Sequence, residues 1–199
     1  MTKAMADRAP LDAYDTPAEL ARAICTLLRD RLLPAAPAGI LEPSAGSGVF
    51  VRQAEAHWPS ARVLGIDIKP RADGIKEADF LRPLVCHALE EWDLILGNPP
   101  FRDAELHVRR ALSMLTAPRA VAPRGGRLAF LLPLSFLGGV GRVALYREHP
   151  LRGLIPIAGR PSFTGAGTGS QEYALYVWER DWRGTGFGAG DLLPPLEWR

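Results

Sequence analysis

The sequence offers little through sulfur or metal. Two of its 199 residues are cysteine, Cys25 and Cys86, and neither stands in a Cys-x-x-Cys pair. With four scattered histidines no zinc spacing arises, so metal sites and disulfide frameworks are set aside. Cys25 lies in an apolar helical pattern and reads as core. Long apolar runs are missing too: Leu128 to Leu134 is too short to span a bilayer. The start, with Lys3, Asp7 and Arg8, has no apolar stretch of the signal-peptide kind, and the expected location is the cytoplasm, with no membrane contact. Lysine is nearly absent, three residues against 21 arginines.

What is present is an ordinary globular composition, 47% hydrophobic and 23% charged, in a length that suits one domain. The net charge of +2 hides an asymmetry. Between Phe101 and Arg160 ten arginines face Asp103, Glu105 and Glu148, a local balance of +7. Arginine suits bidentate phosphate contacts, and a basic face attracts nucleic acid whatever its sequence. A solvated arginine-rich surface is the plainer alternative.

Hydrophobic spacing predicts a helix from Ala18 to Leu33, a strand at Gly39 to Leu41, a helix to about Ala56 and a strand from Arg62 to Ile68. A short strand is expected near Ile75 to Ala78 and another at Trp92 to Leu96. A helix over about Asp103 to Leu115, a strand at Leu128 to Leu134 and a helix within Phe136 to Glu148 follow. Leu154 to Ala158 and Tyr173 to Trp178 read as the last strands. Residues 1–180 are expected to form the domain and 181–199 an irregular tail. Strands alternating with helices imply a parallel sheet covered on both faces, which binds ligands at the carboxyl ends of its strands. The motifs fall at such ends.

Gly46-Ser47-Gly48 lies between strand and helix, where glycine permits a tight turn and close approach to a ligand. The dinucleotide fingerprint would place a third small residue at Val51, which counts against NAD. Asp67 stands 19 residues after Gly48 at the end of the next strand, where a carboxylate can accept both ribose hydroxyls. A turn-forming aspartate ahead of Lys69-Pro70 is its alternative. Asp79-Phe80 offers an acid beside an apolar wall for adenine, or an ordinary loop acid.

Asn98-Pro99-Pro100-Phe101 is the most specific segment. An exocyclic amine on a base is planar because its lone pair is delocalised into the ring. Two acceptors on its two hydrogens favour a pyramidal nitrogen, and the Asn98 side-chain oxygen and the Pro99 carbonyl can supply them. The prolines restrict the backbone, so these acceptors are preorganised. Phe101 can stack on a target base that has left a duplex. Methylation at cytosine C5 needs a nucleophile, typically cysteine after proline, whereas Cys86 follows Val85. A strand-ending turn is the plainer reading of the tetrapeptide.

Together these residues resemble the adenine-N6 DNA methyltransferases in the arrangement with the cofactor motifs first. Tyr14-Asp15-Thr16-Pro17 matches the segment that packs over the methionine part of S-adenosylmethionine. Glu42-Pro43-Ser44-Ala45-Gly46-Ser47-Gly48 is similar to the cofactor loop, Asp67 with Ile68 to the ribose-binding position, and Asp79-Phe80 to the adenine-contacting pair. Asn98 to Phe101 matches the catalytic tetrad, with Asn98 also beside the cofactor. The resemblance implies S-adenosylmethionine as cofactor, no metal, and a Rossmann-like class I fold. That fold is a seven-stranded, mostly parallel sheet with an antiparallel last strand, Tyr173 to Trp178, and helices on both faces. With Arg160-Pro161-Ser162-Phe163 and the strand after it, the chain is similar to small orphan enzymes of phages and mobile elements.

One departure concerns target choice. Sequence-specific members carry a separate recognition domain for which this chain has no room. Specificity is then expected to be short and loop-encoded, supplied by a partner, or weak. The connection Gly159 to Gln171 is the candidate loop, with Arg160, Ser162, Thr164 and Thr168 facing nucleic acid, and Phe101 and Arg102 nearer the chemistry. DNA is the expected substrate. RNA methylation at adenine N6 or guanine N2, protein glutamine methylation, and a noncatalytic cofactor- or DNA-binding subunit are the alternatives.

Overall fold

A computed structural model describes residues 15–33, 35–82, 91–118, 124–161, 171–184 and 194–198. Tyr14, Cys86, Ser162, Thr164 and Thr168, singled out above, lie outside the described residues. The elements are α1 (Ala18–Leu27), β1 (Gly39–Glu42), α2 (Val49–His57), β2 (Arg62–Asp67), β3 (Lys76–Glu77) and β4 (Leu94–Gly97). They continue with α3 (Ala104–Ser113), β5 (Arg127–Pro133), α4 (Val143–Glu148), β6 (Gly153–Pro156) and β7 (Tyr173–Glu179).

The seven strands form one sheet in the order β3-β2-β1-β4-β5-β7-β6. β1 to β5 pair in parallel, whereas β7 runs antiparallel to both β5 and β6. The central strands β1, β4 and β5 are buried along their whole length, as expected of continuous apolar runs covered on both faces. Alternate residues divide between two cores. Leu41, Ile95, Leu128, Phe130 and Tyr176 pack with Val108 and Leu112 of α3. Ile40, Leu94, Leu96, Ala129 and Val177 pack with Leu20 and Ile24 of α1 and Phe50 of α2. No helix among the described residues is long and apolar enough to cross a membrane.

Element ends differ from the expectations in four places. The first helix changes from α to π turns at Leu28–Leu32, closed by the Leu33 N–H on the Leu28 carbonyl at 2.8 Å. Trp92 lies outside β4, because its N–H bonds the Met114 carbonyl and pairs it with Leu115. β3 has only two residues. The helix expected from Phe136 is α-helical only over α4, since Pro133 and the glycines at 138, 139 and 141 break the preceding stretch into 3-10 turns. Within the last stretch of the chain, Leu196 pairs with Ile157: its N–H bonds the Pro156 carbonyl at 2.8 Å and its carbonyl accepts the Ala158 N–H at 3.0 Å.

Candidate active site at the carboxyl ends of the strands

The loops leaving β1, β2, β3 and β4 enclose a cavity of about 530 Å³. Its wall brings together Thr16, Glu42 to Gly46, Asp67, Ile68, Asp79, Phe80, Asn98, Pro100 and Arg102. These come from segments spread between residues 16 and 102 of the sequence. Pro17, Gly48, Pro99, Phe101 and Arg160 are not on that wall: Pro17 caps α1, Gly48 caps α2, and Arg160 pairs with Glu172 at 3.3 Å.

The glycine loop is built on left-handed backbone, with φ of 50° at Gly46 and 74° at Gly48, which side-chain-bearing residues rarely adopt. Asp67 ties this loop to the end of β2. One carboxylate oxygen accepts the Gly46 N–H at 2.7 Å and the other the Lys69 N–H at 2.8 Å. Both readings of Asp67 meet here, since it makes the turn ahead of Pro70 and also lines the cavity. Each oxygen retains further acceptor capacity.

Glu42 lies beneath the loop and is 3% exposed. Burial pushes its carboxyl well above the ordinary value, the Val51 backbone hydrogen bond and Arg52 offset this in part, and Asp67 adds to it. Its Oε2 is buried without a hydrogen-bond partner among the described residues. A buried acceptor in a cavity wall is a costly group unless a donor meets it.

The segment before α1 crosses the same wall. Asp15 accepts the Ser47 hydroxyl at 2.8 Å and both Arg71 guanidinium arms, at 2.9 and 2.7 Å. Burial works upward on the Asp15 carboxyl, but Ser47 and Arg71 hold it below the usual range. Next to it, buried Thr16 accepts a 3.3 Å hydrogen bond from the Asn98 side-chain amide nitrogen. The amino-terminal motif is thereby joined to the glycine loop on one side and to the tetrad on the other. Sequence reasoning named Asp15 and Ser47 only as members of their motifs and passed over Arg71, because only the fold brings residues 15 and 71 together.

After Asn98 the chain passes through Pro99 and Pro100 into a 3-10 turn at Phe101–Asp103 and then α3. The Phe101 ring is half-buried, 5.7 Å from the Tyr173 ring and inclined at 42°. Tyr173 was legible only as the start of a strand. Asp79 folds back locally, accepting the Leu81 N–H at 3.0 Å and pairing with Arg82 at 3.2 Å. Phe80 is packed against His107, ring to ring at 5.5 Å. His107, buried and on the cavity wall, also escaped the sequence reading. Its only signal was its position one helical turn beyond Asp103.

The architecture has known counterparts. It aligns with the methyltransferase subunit of a type I restriction-modification system from Streptococcus thermophilus, with a TM-score of 0.62, 14% identity, and 85% of this chain and 45% of that one covered. A SAM-dependent O-methyltransferase from Thermotoga maritima aligns at a TM-score of 0.57 and 13% identity, covering 92% of this chain and 72% of that one. This is the class I methyltransferase fold. No protein-family model matches the chain. Curated proteins that share sequence with it include two type II methyltransferases. Over 71 residues, 33% of the chain, it is 31% identical to the type II methyltransferase M.CvrRI of Paramecium bursaria Chlorella virus XZ-6E, covering 19% of that protein. Over 79 residues, 35% of the chain, it is 40% identical to the type II methyltransferase M.TthHB8I of Thermus thermophilus, covering 18% of it. In sequence the chain is similar to these two type II methyltransferases over about a third of its length, and the match spans less than a fifth of either one's length.

Proposed function

We propose that the protein transfers a methyl group from S-adenosylmethionine to an exocyclic amine, with N6 of adenine in DNA as the acceptor. The observation that carries this reading is that Asn98 and Pro100 share one cavity with Asp67 and the glycine loop, so acceptor and cofactor motifs meet. The residues present fit the cofactor. Asp67 retains acceptor capacity for ribose hydroxyls, Ile68, Asp79 and Phe80 would flank an adenine, and the buried Glu42 Oε2 is an acceptor suited to an ammonium group. Thr16 and Gly46 would lie at the amino-acid end. The cofactor supplies an electrophilic methyl on a sulfonium.

The protein's part is positioning and polarity. The Asn98 amide oxygen and Pro99 carbonyl accept the two amine hydrogens, which returns the nitrogen lone pair from the ring and aims it outward. The Thr16 hydroxyl bonds the nitrogen end of the same amide and so turns the oxygen end toward the substrate. Phe101, backed by Tyr173, offers an aromatic face to a base drawn from the stack. Adenine in DNA is favoured by the order of the four motifs, by the type II relatives, and by the arginine-rich second half. Arg102 and Arg160 would then meet the nucleic acid.

The test is incubation with methyl-labelled S-adenosylmethionine and, separately, duplex DNA, single-stranded DNA, RNA and protein extract, followed by nucleoside and amino-acid analysis. Labelled N6-methyladenine from DNA supports the proposal. Label confined to RNA or to glutamine moves the chemistry to another acceptor, and cofactor binding without any turnover overturns it.

A further inference from the structure

Resting on the cofactor assignment above, we propose that His107 reads the base of the cofactor, its Nε2 accepting a hydrogen bond from the exocyclic amine of the adenine. The imidazole is a buried titratable group on the cavity wall with no part in the transfer itself. Its Nδ1 lies 3.0 Å from the Asp103 backbone carbonyl, which can only accept. The proton therefore sits on Nδ1, and Nε2 is left as a lone-pair acceptor. Among the described residues nothing else bonds that ring.

The ring is held in place from two directions. It stacks on Phe80 at 29° between planes, and its Nδ1 is anchored one turn back on its own helix. Arg110, one turn further along α3, lies over the same Phe80 ring at 5.5 Å. Burial lowers the His107 pKa, against the opposing pull of the Asp103 carbonyl and the Asp103 and Asp79 carboxylates, so the neutral acceptor form prevails near neutral pH. Ile68, Phe80 and His107 line the same cavity, so an adenine held by the first two would lie within reach of the imidazole.

Asp79, the acid that the family resemblance assigns to the adenine, is bonded locally through both oxygens, each of which keeps a further lone pair. One of its oxygens accepts the Leu81 N–H and the other pairs with Arg82. His107 contributes an acceptor with no such local commitment, on a helix rather than on a loop. The distinction it enforces is between an amine, which donates, and a carbonyl oxygen at the same ring position, which would face the imidazole lone pair.

The experiment measures equilibrium binding of S-adenosylhomocysteine and its hypoxanthine counterpart, S-inosylhomocysteine, to wild type, His107→Phe, His107→Gln and Asp79→Asn. Wild type is expected to prefer the adenine compound by about tenfold or more, the size of one well-placed hydrogen bond. His107→Phe is expected to remove most of that preference through weaker binding of the adenine compound, and His107→Gln, which keeps an acceptor oxygen, to restore part of it. If His107→Phe fails to fold, His107→Asn, whose amide falls short, replaces it against His107→Gln. An undiminished preference in His107→Phe, or its loss only in Asp79→Asn, overturns the proposal for His107 and leaves the cofactor site standing. Failure of wild type to bind either compound overturns both.

Discussion

Asn98 and Asp67 share a cavity, and under the proposed function they have separable tasks that substitution separates. Asn98→Ala removes an acceptor used only when the amine reacts, so kcat is expected to fall about a hundredfold or more while cofactor affinity stays near wild type. Asp67→Ala removes ribose acceptors and the tie to Gly46, so cofactor Kd is expected to rise at least about tenfold. Titration calorimetry together with single-turnover rates distinguishes the two patterns. Near-normal turnover in Asn98→Ala would contradict the mechanism. Glu42 makes a prediction about pH. Its carboxyl binds a proton more tightly in the folded than in the unfolded chain, whose ordinary value is 4.5. The stability that proton confers is complete below the ordinary value and is lost as pH rises through the raised one. Without cofactor, Glu42→Gln should therefore melt higher than wild type at pH 8, and the difference should shrink as pH falls toward the ordinary carboxyl range. Melting curves across pH check this, and a gap that widened on acidification would show that Glu42 is ionised without penalty.

At the scale of elements, the segment before α1 is a strap across the cavity rim. The Asp15–Arg71 pair is about half exposed on each side, so it contributes under about 1 kcal/mol to folding. Its role is to keep residues 15 to 17 against Ser47 and beside Asn98. Asp15→Ala should leave the melting temperature almost unchanged but speed cofactor dissociation several-fold in stopped-flow measurements. An unchanged off-rate would make the strap mere decoration. This element also shows what the sequence conveyed and what it did not. A parallel sheet covered on both faces followed from alternation, because the buried runs of β1, β4 and β5 and the glycine loop are local signals, whereas the order of the strands was not legible. Asp67, Asp79 and Asn98 were legible because each lies at or just beyond the end of a strand. Asp15, Arg71, His107 and Tyr173 were not. Their partners lie far away in sequence or along a helix face, where one polar residue resembles any other. The 3-10 turns after β5 were missed because apolar spacing there was read without weighing three glycines in four residues.

At the scale of the molecule, stability rests partly on charge at the end of the sheet away from the cavity. Arg127 opens β5 and meets Glu179, which ends β7, at 2.9 Å, with both side chains almost fully buried. Burial lowers the Arg127 pKa while Glu179 opposes that shift. Arg152 approaches the same carboxylate at 3.5 Å. Glu179→Ala would leave the buried Arg127 cation without this carboxylate and should cost about 3–5 kcal/mol in urea unfolding, with the cavity itself intact. A loss below 1 kcal/mol would show that water relieves these arginines. The sheet has two borders, and each is blunted: β3 is two residues long, and the end of β6 has its backbone occupied by Leu196. An open strand border is a template for strands of other molecules. The last few residues thus serve colloidal behaviour as well as folding. A chain cut after residue 193 leaves the Pro156 carbonyl and the Ala158 N–H seeking new partners, and light scattering should show it associating with copies of itself at concentrations where the full chain stays dispersed.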